Sequence, residues 1–211
     1  MLVLYEDATS GNCLKCRLML RELGLGYRSV HVDLFRGETR TAEHFARNPD
    51  GRVPVLELEG GETIAESGAI LLYLAEGSEY LPSDRLDRAR VNQWMFFEQN
   101  RIESELAVAR FLRLSGRERE LPDAFAHRLG RGLDALETLE RGLADGRSFL
   151  IGERFSVADI ALYGYVHCAG EAGADPRVHA HVAAWLDRIE ARPGFVNDMA
   201  PFPPYAAERP I

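Results

Sequence analysis

The feature that most constrains this chain is a change of pattern near residue 80. Before it, short apolar runs alternate with helical repeats; after it, only helical repeats remain. "LVLY", at 2 to 5, suits a buried strand, and "CLKCRLMLREL" then repeats its apolar residues at helical spacing until Gly24 stops it. "YRSVHV" predicts a second strand. A loop and a short helix around "AEHFAR" follow, then two strands, "VPVLEL" and "TIA", joined by "EGGE", whose paired glycines suit a tight hairpin. "SGAILLYLAE" closes the set as a helix. The order β-α-β-α-β-β-α implies a mixed sheet, because a strand, helix and strand in succession pack as a parallel pair with a right-handed crossover.

Beyond "EYLPSD", a proline-containing linker near 77 to 85, the spacing predicts helices at roughly 86 to 115, 121 to 145, 156 to 169 and 178 to 192. In the second of these, Phe125, Leu129, Leu133, Leu136, Leu139 and Leu143 recur at three- and four-residue steps and predict one buried stripe. Two domains result, an α/β domain at 1–78 and an all-helical domain at 86–211. The end, "APFPPYAAERP", reads as an irregular tail laid over the surface.

Charge and composition exclude several classes. A net charge of −8 is wrong for a nucleic-acid surface, which needs clustered positive charge against phosphates. The longest apolar runs are too short to span a bilayer, and the N-terminus lacks the basic region and cleavage site of a secretory signal, so a cytoplasmic protein without a membrane partner is expected. Three cysteines are an odd count for a disulfide framework. Cys13 and Cys16 lack two further ligands at zinc spacing, and "HAH" at 179 to 181 does not place both rings on one helical face, so no metal is expected.

Two stretches suggest a ligand. A proline opening the strand "VPVLEL" forces Val53 into extended geometry and removes one ladder donor, which fits an edge strand. It equally fits a cis peptide at Pro54, which would turn the N–H and C=O of Val53 outward to pair with an extended ligand. In "IAESGAI", Ser67 is a natural N-cap. The same helix start favours a carboxylate, and Glu66 beside it supplies the opposite sign, a combination suited to the headgroup of a free amino acid.

The pattern "SGNCLKCRLMLRELGLGY…VDLFRGETR…NPDGRVPVLEL…IAESGAILLYLAE", followed by "GERFSVADIALYGY", resembles the cytosolic glutathione S-transferases over nearly the whole chain, most closely the bacterial, serine-type, theta- or phi-like members. The resemblance implies a thioredoxin-like N-terminal domain, a helical-bundle C-terminal domain that lines the electrophile pocket, glutathione as co-substrate, and a homodimer. It also implies roles by position. Val53, next to a cis Pro54, would pair with the cysteinyl part of glutathione; Glu66 and Ser67 would hold the γ-glutamyl end; Arg40 would take the glycyl carboxylate, with Thr39 and Arg52 as weaker candidates. A guanidinium suits that task because its planar fork matches a carboxylate.

By the same resemblance, Ser10 falls where serine-type members carry the hydroxyl that donates to the glutathione sulfur. Lowering a thiol pKa from about 8.5 by about two units needs about 2.7 kcal/mol. One charge-assisted hydrogen bond, at about 1.5 to 3 kcal/mol, is nearly sufficient. Asn12 is a second donor candidate, or a turn residue. In thioredoxin-like redox motifs the attacking cysteine lies at the position of Ser10, so Cys13 corresponds to the second, buried thiol and Cys16 to core; a mixed disulfide on Cys13 is the remaining redox idea.

In the second domain, Ser156 and Asp159 form a structural capping pattern, and Asn100, Glu103, Ala107 and Arg110 fall on one α-helical face that could line a pocket or meet solvent. The expected enzyme is a glutathione transferase acting on a small electrophile held between the domains. A glutathione-dependent disulfide or peroxide reductase is the enzymatic alternative, and a non-catalytic glutathione-binding or regulatory module is the alternative from another class.

Overall fold

A computed structural model describes residues 1–208 of the chain. It divides into two compact units, Met1–Glu76 together with the segment from Val196 onward, and Gly77–Phe195.

The first unit has the expected element order. Strands β1 (Leu2–Glu6), β2 (Tyr27–His31), β3 (Val55–Glu57) and β4 (Thr63–Ala65) form one sheet in the order β2-β1-β3-β4. β1 and β2 are parallel, and β3 runs antiparallel to both β1 and β4. With helices α1 (Gly11–Glu22), α2 (Ala42–Arg47) and α3 (Ser67–Ala75), this is the thioredoxin-like arrangement. The period of two along β1 sends its side chains to opposite faces. Val3 and Tyr5 join a cluster with Cys13, Val53 and Val55, while Leu4 joins Cys16, Leu20, Leu56 and Ile70. The β3–β4 turn closes where the N–H of Leu58 donates to the carbonyl of Glu62 at 2.8 Å, and Gly61 takes the positive φ of 93° that the turn needs.

α1 is buried on almost every side, including Lys15 and Arg17. A buried guanidinium needs compensation. Arg17 receives it from Glu6 on β1 and from Asp198, whose Oδ1 lies 2.7 Å from Nε. Asp198 immediately precedes the terminal stretch that the sequence reads as an irregular tail laid over the surface and places in the helical domain. It is instead tied into the first unit: Ala200 N–H donates to the Ala8 carbonyl at 2.9 Å, Phe202 meets Phe35 edge to face, and the Tyr205 hydroxyl donates to Asp33 Oδ2 at 2.8 Å. Arginine and aromatic partners at distant positions fix the tail, and no local periodicity announces them.

The second unit is helical, with α4 (Arg85–Phe97), α5 (Val108–Leu114), α6 (Pro122–Leu143), α7 (Val157–Val166) and α8 (Ala180–Glu190). The continuous helix expected over 86 to 115 is interrupted by a π-helical stretch, Glu98–Ala107. Its wider turns break α-helical spacing. Asn100 is exposed, Glu103 and Ala107 half-buried and Arg110 buried, so the four do not share one environment. The predicted stripe on α6 is also displaced: Leu133 is 41% exposed, and the buried residues are Gly132, Ala135, Leu136, Leu139 and Leu143. Small residues at 132 and 135 let α6 approach the π-helical stretch, where buried Glu105 takes Arg128 and Arg131 at 3.1 Å each. Burial opposes the Glu105 charge, but those two guanidinium groups hold its carboxyl below the usual range.

Candidate functional site

The turn between β1 and α1 is organised by Asp7. Its Oδ1 accepts from the backbone N–H of Thr9 at 2.8 Å and from the Thr9 hydroxyl at 2.7 Å, and its Oδ2 accepts from Leu34 N–H at 3.1 Å. This delivers Ser10 as the N-cap of α1, half-buried, with Oγ accepting from Cys13 N–H at 3.4 Å. Its hydroxyl thus stands at the positive end of a helix that the apolar run behind it makes rigid.

Asn12, in the first turn of α1, accepts at Oδ1 from Ser67 Oγ at 3.1 Å. That bond joins residues 55 apart in sequence. It also corrects the expected role of Ser67. Ser67 is the first helical residue of α3 rather than its cap, and its buried side chain reaches across to α1. The N-cap is Glu66, the one non-glycine residue with positive φ (68°) among those described. Such a conformation is costly for a side chain with a Cβ and concentrates at functional sites. It leaves Glu66 exposed.

The Val53–Pro54 peptide is cis, as one of the two sequence alternatives required. The loop before it is pinned through the carbonyl of Arg52, which accepts from Asn48 Nδ2 at 3.0 Å and lies 3.0 Å from His44 Nε2. Facing a carbonyl, that ring nitrogen carries the proton. Val53 packs in the cluster that contains Cys13, which brings the cis peptide beside the first turn of α1. Val55, just after the cis peptide, pairs with Ala65, the strand residue immediately before Glu66 and Ser67.

Thr39 is buried on a short 3-10 turn, and Arg40 next to it is exposed. Arg40 Nη1 donates to the Asp50 carbonyl at 3.1 Å, while Arg52 Nε pairs with Asp50 Oδ2 at 2.6 Å. Gly51, at φ 65°, permits this: a Cβ there would stand 2.7 Å from Arg40 Nη1 and 2.8 Å from the Phe45 ring. Two guanidinium groups therefore flank one loop, a suitable place for a carboxylate.

Neither cysteine of the C-x-x-C stretch is available for surface chemistry. Cys13 and Cys16 are fully buried and free. Burial pushes the Cys13 thiol up to about 12, although the Asp7 N–H and the Ser10 hydroxyl pull the other way; burial raises Cys16 as well. Sequence inspection missed four residues that shape the site: Asp7, His44, Asn48 and Lys15. An aspartate two residues before a threonine was a turn signal that could have been read. The others act through contacts that spacing does not reveal. Among the described residues no group of three or more His, Cys, Asp or Glu side chains could hold a metal ion, and no helix is long and apolar enough to cross a membrane.

Comparison with known proteins places the chain in a family. The sequence matches the glutathione S-transferase N-terminal domain over residues 9–76 and the glutathione S-transferase C-terminal domain over residues 122–207. The chain belongs to the glutathione S-transferase family, a family of enzymes. It is similar to glutathione S-transferase 4 of Zea mays, at 34% identity over 98% of this chain and 95% of that one. It is also 30% identical to the disulfide-bond oxidoreductase YfcG of Escherichia coli (strain K12), over 92% of each. Among solved structures, a glutathione S-transferase from Pseudomonas fluorescens superposes with a TM-score of 0.91 at 43% identity, covering 94% of this chain and 99% of that one. A glutathione transferase from Burkholderia graminis, solved with two glutathione molecules bound per subunit, gives a TM-score of 0.82 at 28% identity over 94% and 87%.

Proposed function

We propose that this enzyme binds glutathione on its first unit and conjugates it to a small electrophile. The backbone of Val53 pairs with the cysteinyl residue of the tripeptide, Glu66 and Ser67 hold its γ-glutamyl headgroup, and Arg40, aided by Thr39 and Arg52, takes the glycyl carboxylate. Ser10 donates its hydroxyl to the sulfur, with Asn12 as the second donor. The nucleophile belongs to glutathione, and the protein supplies position and electrostatic stabilisation. The observation that carries the proposal is the Ser67–Asn12 hydrogen bond, which ties the headgroup end of the site to the helical turn that holds Ser10. The proposal includes a cytoplasmic homodimer; Phe96, 73% exposed, is the sort of side chain a second subunit would cover.

Similarity to a disulfide-bond oxidoreductase favours a second reading, glutathione-dependent disulfide reduction. The two separate on one variant. Titration calorimetry with reduced glutathione should show binding by the wild type, and Ser10→Ala should lower conjugation of a model electrophile by about ten- to a hundredfold, the loss of one charge-assisted hydrogen bond. Disulfide reduction that survives in Ser10→Ala and is lost in Asn12→Ala would establish the reductase instead.

A further inference from the structure

Asp33, just beyond β2, is bonded both to its own loop and to the end of the chain. Its Oδ1 accepts from the N–H groups of Phe35 at 2.8 Å and Arg36 at 2.9 Å, while Oδ2 accepts from the Tyr205 hydroxyl at 2.8 Å. Its backbone is tied forward as well. The Asp33 N–H donates to Glu38 Oε2 at 2.8 Å, and the Asp33 carbonyl accepts from Glu38 N–H at 3.1 Å. Gly37 turns the chain at φ 73°, and its carbonyl accepts from Arg40 N–H at 3.0 Å. Residues 33–40 are therefore an interlocked pair of turns that begins at Asp33 and ends at Arg40.

The terminal stretch holds these turns from outside. Arg36 Cζ lies over the Tyr205 ring, 5.0 Å from its centroid, and Phe202 meets buried Phe35 with 4.9 Å between ring centroids. Burial opposes the Asp33 charge, but the Tyr205 hydroxyl and the N–H groups of Arg36 and Phe35 hold its carboxyl below the usual range. A guanidinium and a carboxylate pair well only when aligned, so a loop misplaced by about 1 Å forfeits much of such a contact.

We propose that Tyr205 is a positioning residue for recognition of the glycyl end of glutathione: by fixing Asp33 it sets the turns that carry Thr39 and Arg40. The inference rests on the glutathione site proposed above and deepens it. Tyr205 acts through Asp33, and Phe202 reinforces it through Phe35.

Tyr205→Phe keeps the aromatic ring and removes the hydroxyl. Two ligands separate its effect from a general loss of fold: glutathione, and its glycine monoethyl ester, which carries no charge at that end. In titration calorimetry the wild type should prefer glutathione, and Arg40→Ala should abolish the preference. Tyr205→Phe should weaken glutathione binding by about three- to tenfold, the span for one lost hydrogen bond, and leave the ester within about twofold. In the Arg40→Ala background it should cost no further affinity. Equal weakening of both ligands, unchanged glutathione affinity in Tyr205→Phe, or full additivity with Arg40→Ala overturns the proposal. A wild type that binds the two ligands equally, with Arg40→Ala equally silent, removes the Arg40 contact itself and the proposal with it.

Discussion

The indole N–H of Trp185 donates to Oδ1 of Asp159 at 2.9 Å, joining α8 to the first turn of α7. The same carboxylate accepts from Leu150 N–H at 2.9 Å and from both the N–H and the hydroxyl of Ser156 at 2.9 Å. Removing it strands several buried donors at once, at about 1 to 3 kcal/mol each. Asp159→Ala should therefore lose at least about 3 kcal/mol in denaturant unfolding, and Asp159→Asn less, since one oxygen remains.

Gly51 is where the loop carrying Arg52 meets Arg40. A methyl group at φ 65° is strained by about 1 to 2 kcal/mol and would displace Arg40 Nη1. Gly51→Ala should lower the thermal midpoint and weaken glutathione binding, whereas Gly61→Ala, also at positive φ but with nothing near its Cβ, should cost stability and leave binding unchanged.

Cys13 should resist alkylation in the folded protein and react once the chain is denatured, which mass spectrometry can read for all three buried thiols. Its effect on stability has a definite sign. Burial raises the folded thiol from the ordinary 9.0 to about 12, so between those values the folded chain keeps a proton that the unfolded chain releases. Its contribution is fully present below pH 9 and falls as pH rises, by up to about 1.4 kcal/mol per pH unit. The stability difference between wild type and Cys13→Ala should shrink over that window; a constant difference would contradict the assignment.

Two glycines of α6 should respond oppositely to alanine. A Cβ on Gly132 would lie 2.9 Å from Leu106 Cγ and closer still to a methyl, while one on Gly130 meets nothing within 4 Å. Gly130→Ala should stabilise by about 0.8 to 1 kcal/mol from helix propensity. Gly132→Ala should destabilise by about 1 to 3 kcal/mol through overpacking against the π-helical stretch. Chemical denaturation of both variants checks the pair.

The order of strands and helices in the first unit was legible because period-two and helical repeats there are short and cleanly punctuated by glycine. Pro54 announced itself through the constraint it puts on Val53. Other features left no local trace. Ser67 looked like a cap because serine before an apolar run usually is one; the positive φ of Glu66 is imposed by the fold and invisible in composition. Lys15 carried no sign of its burial, because its partner Asn12 lies one turn back on the same helix. The stripe on α6 was misplaced because glycine and alanine, which pack closely, carry little weight in an apolar count.

The pairing of Arg17 with Asp198 has a consequence for biogenesis. The first unit is not finished when its own strands and helices leave the ribosome. Its central helix carries a buried cation whose second counter-charge is translated about 180 residues later. Until then the nascent domain waits with an incompletely neutralised interior, so the helical unit is synthesised while its predecessor is still unsealed.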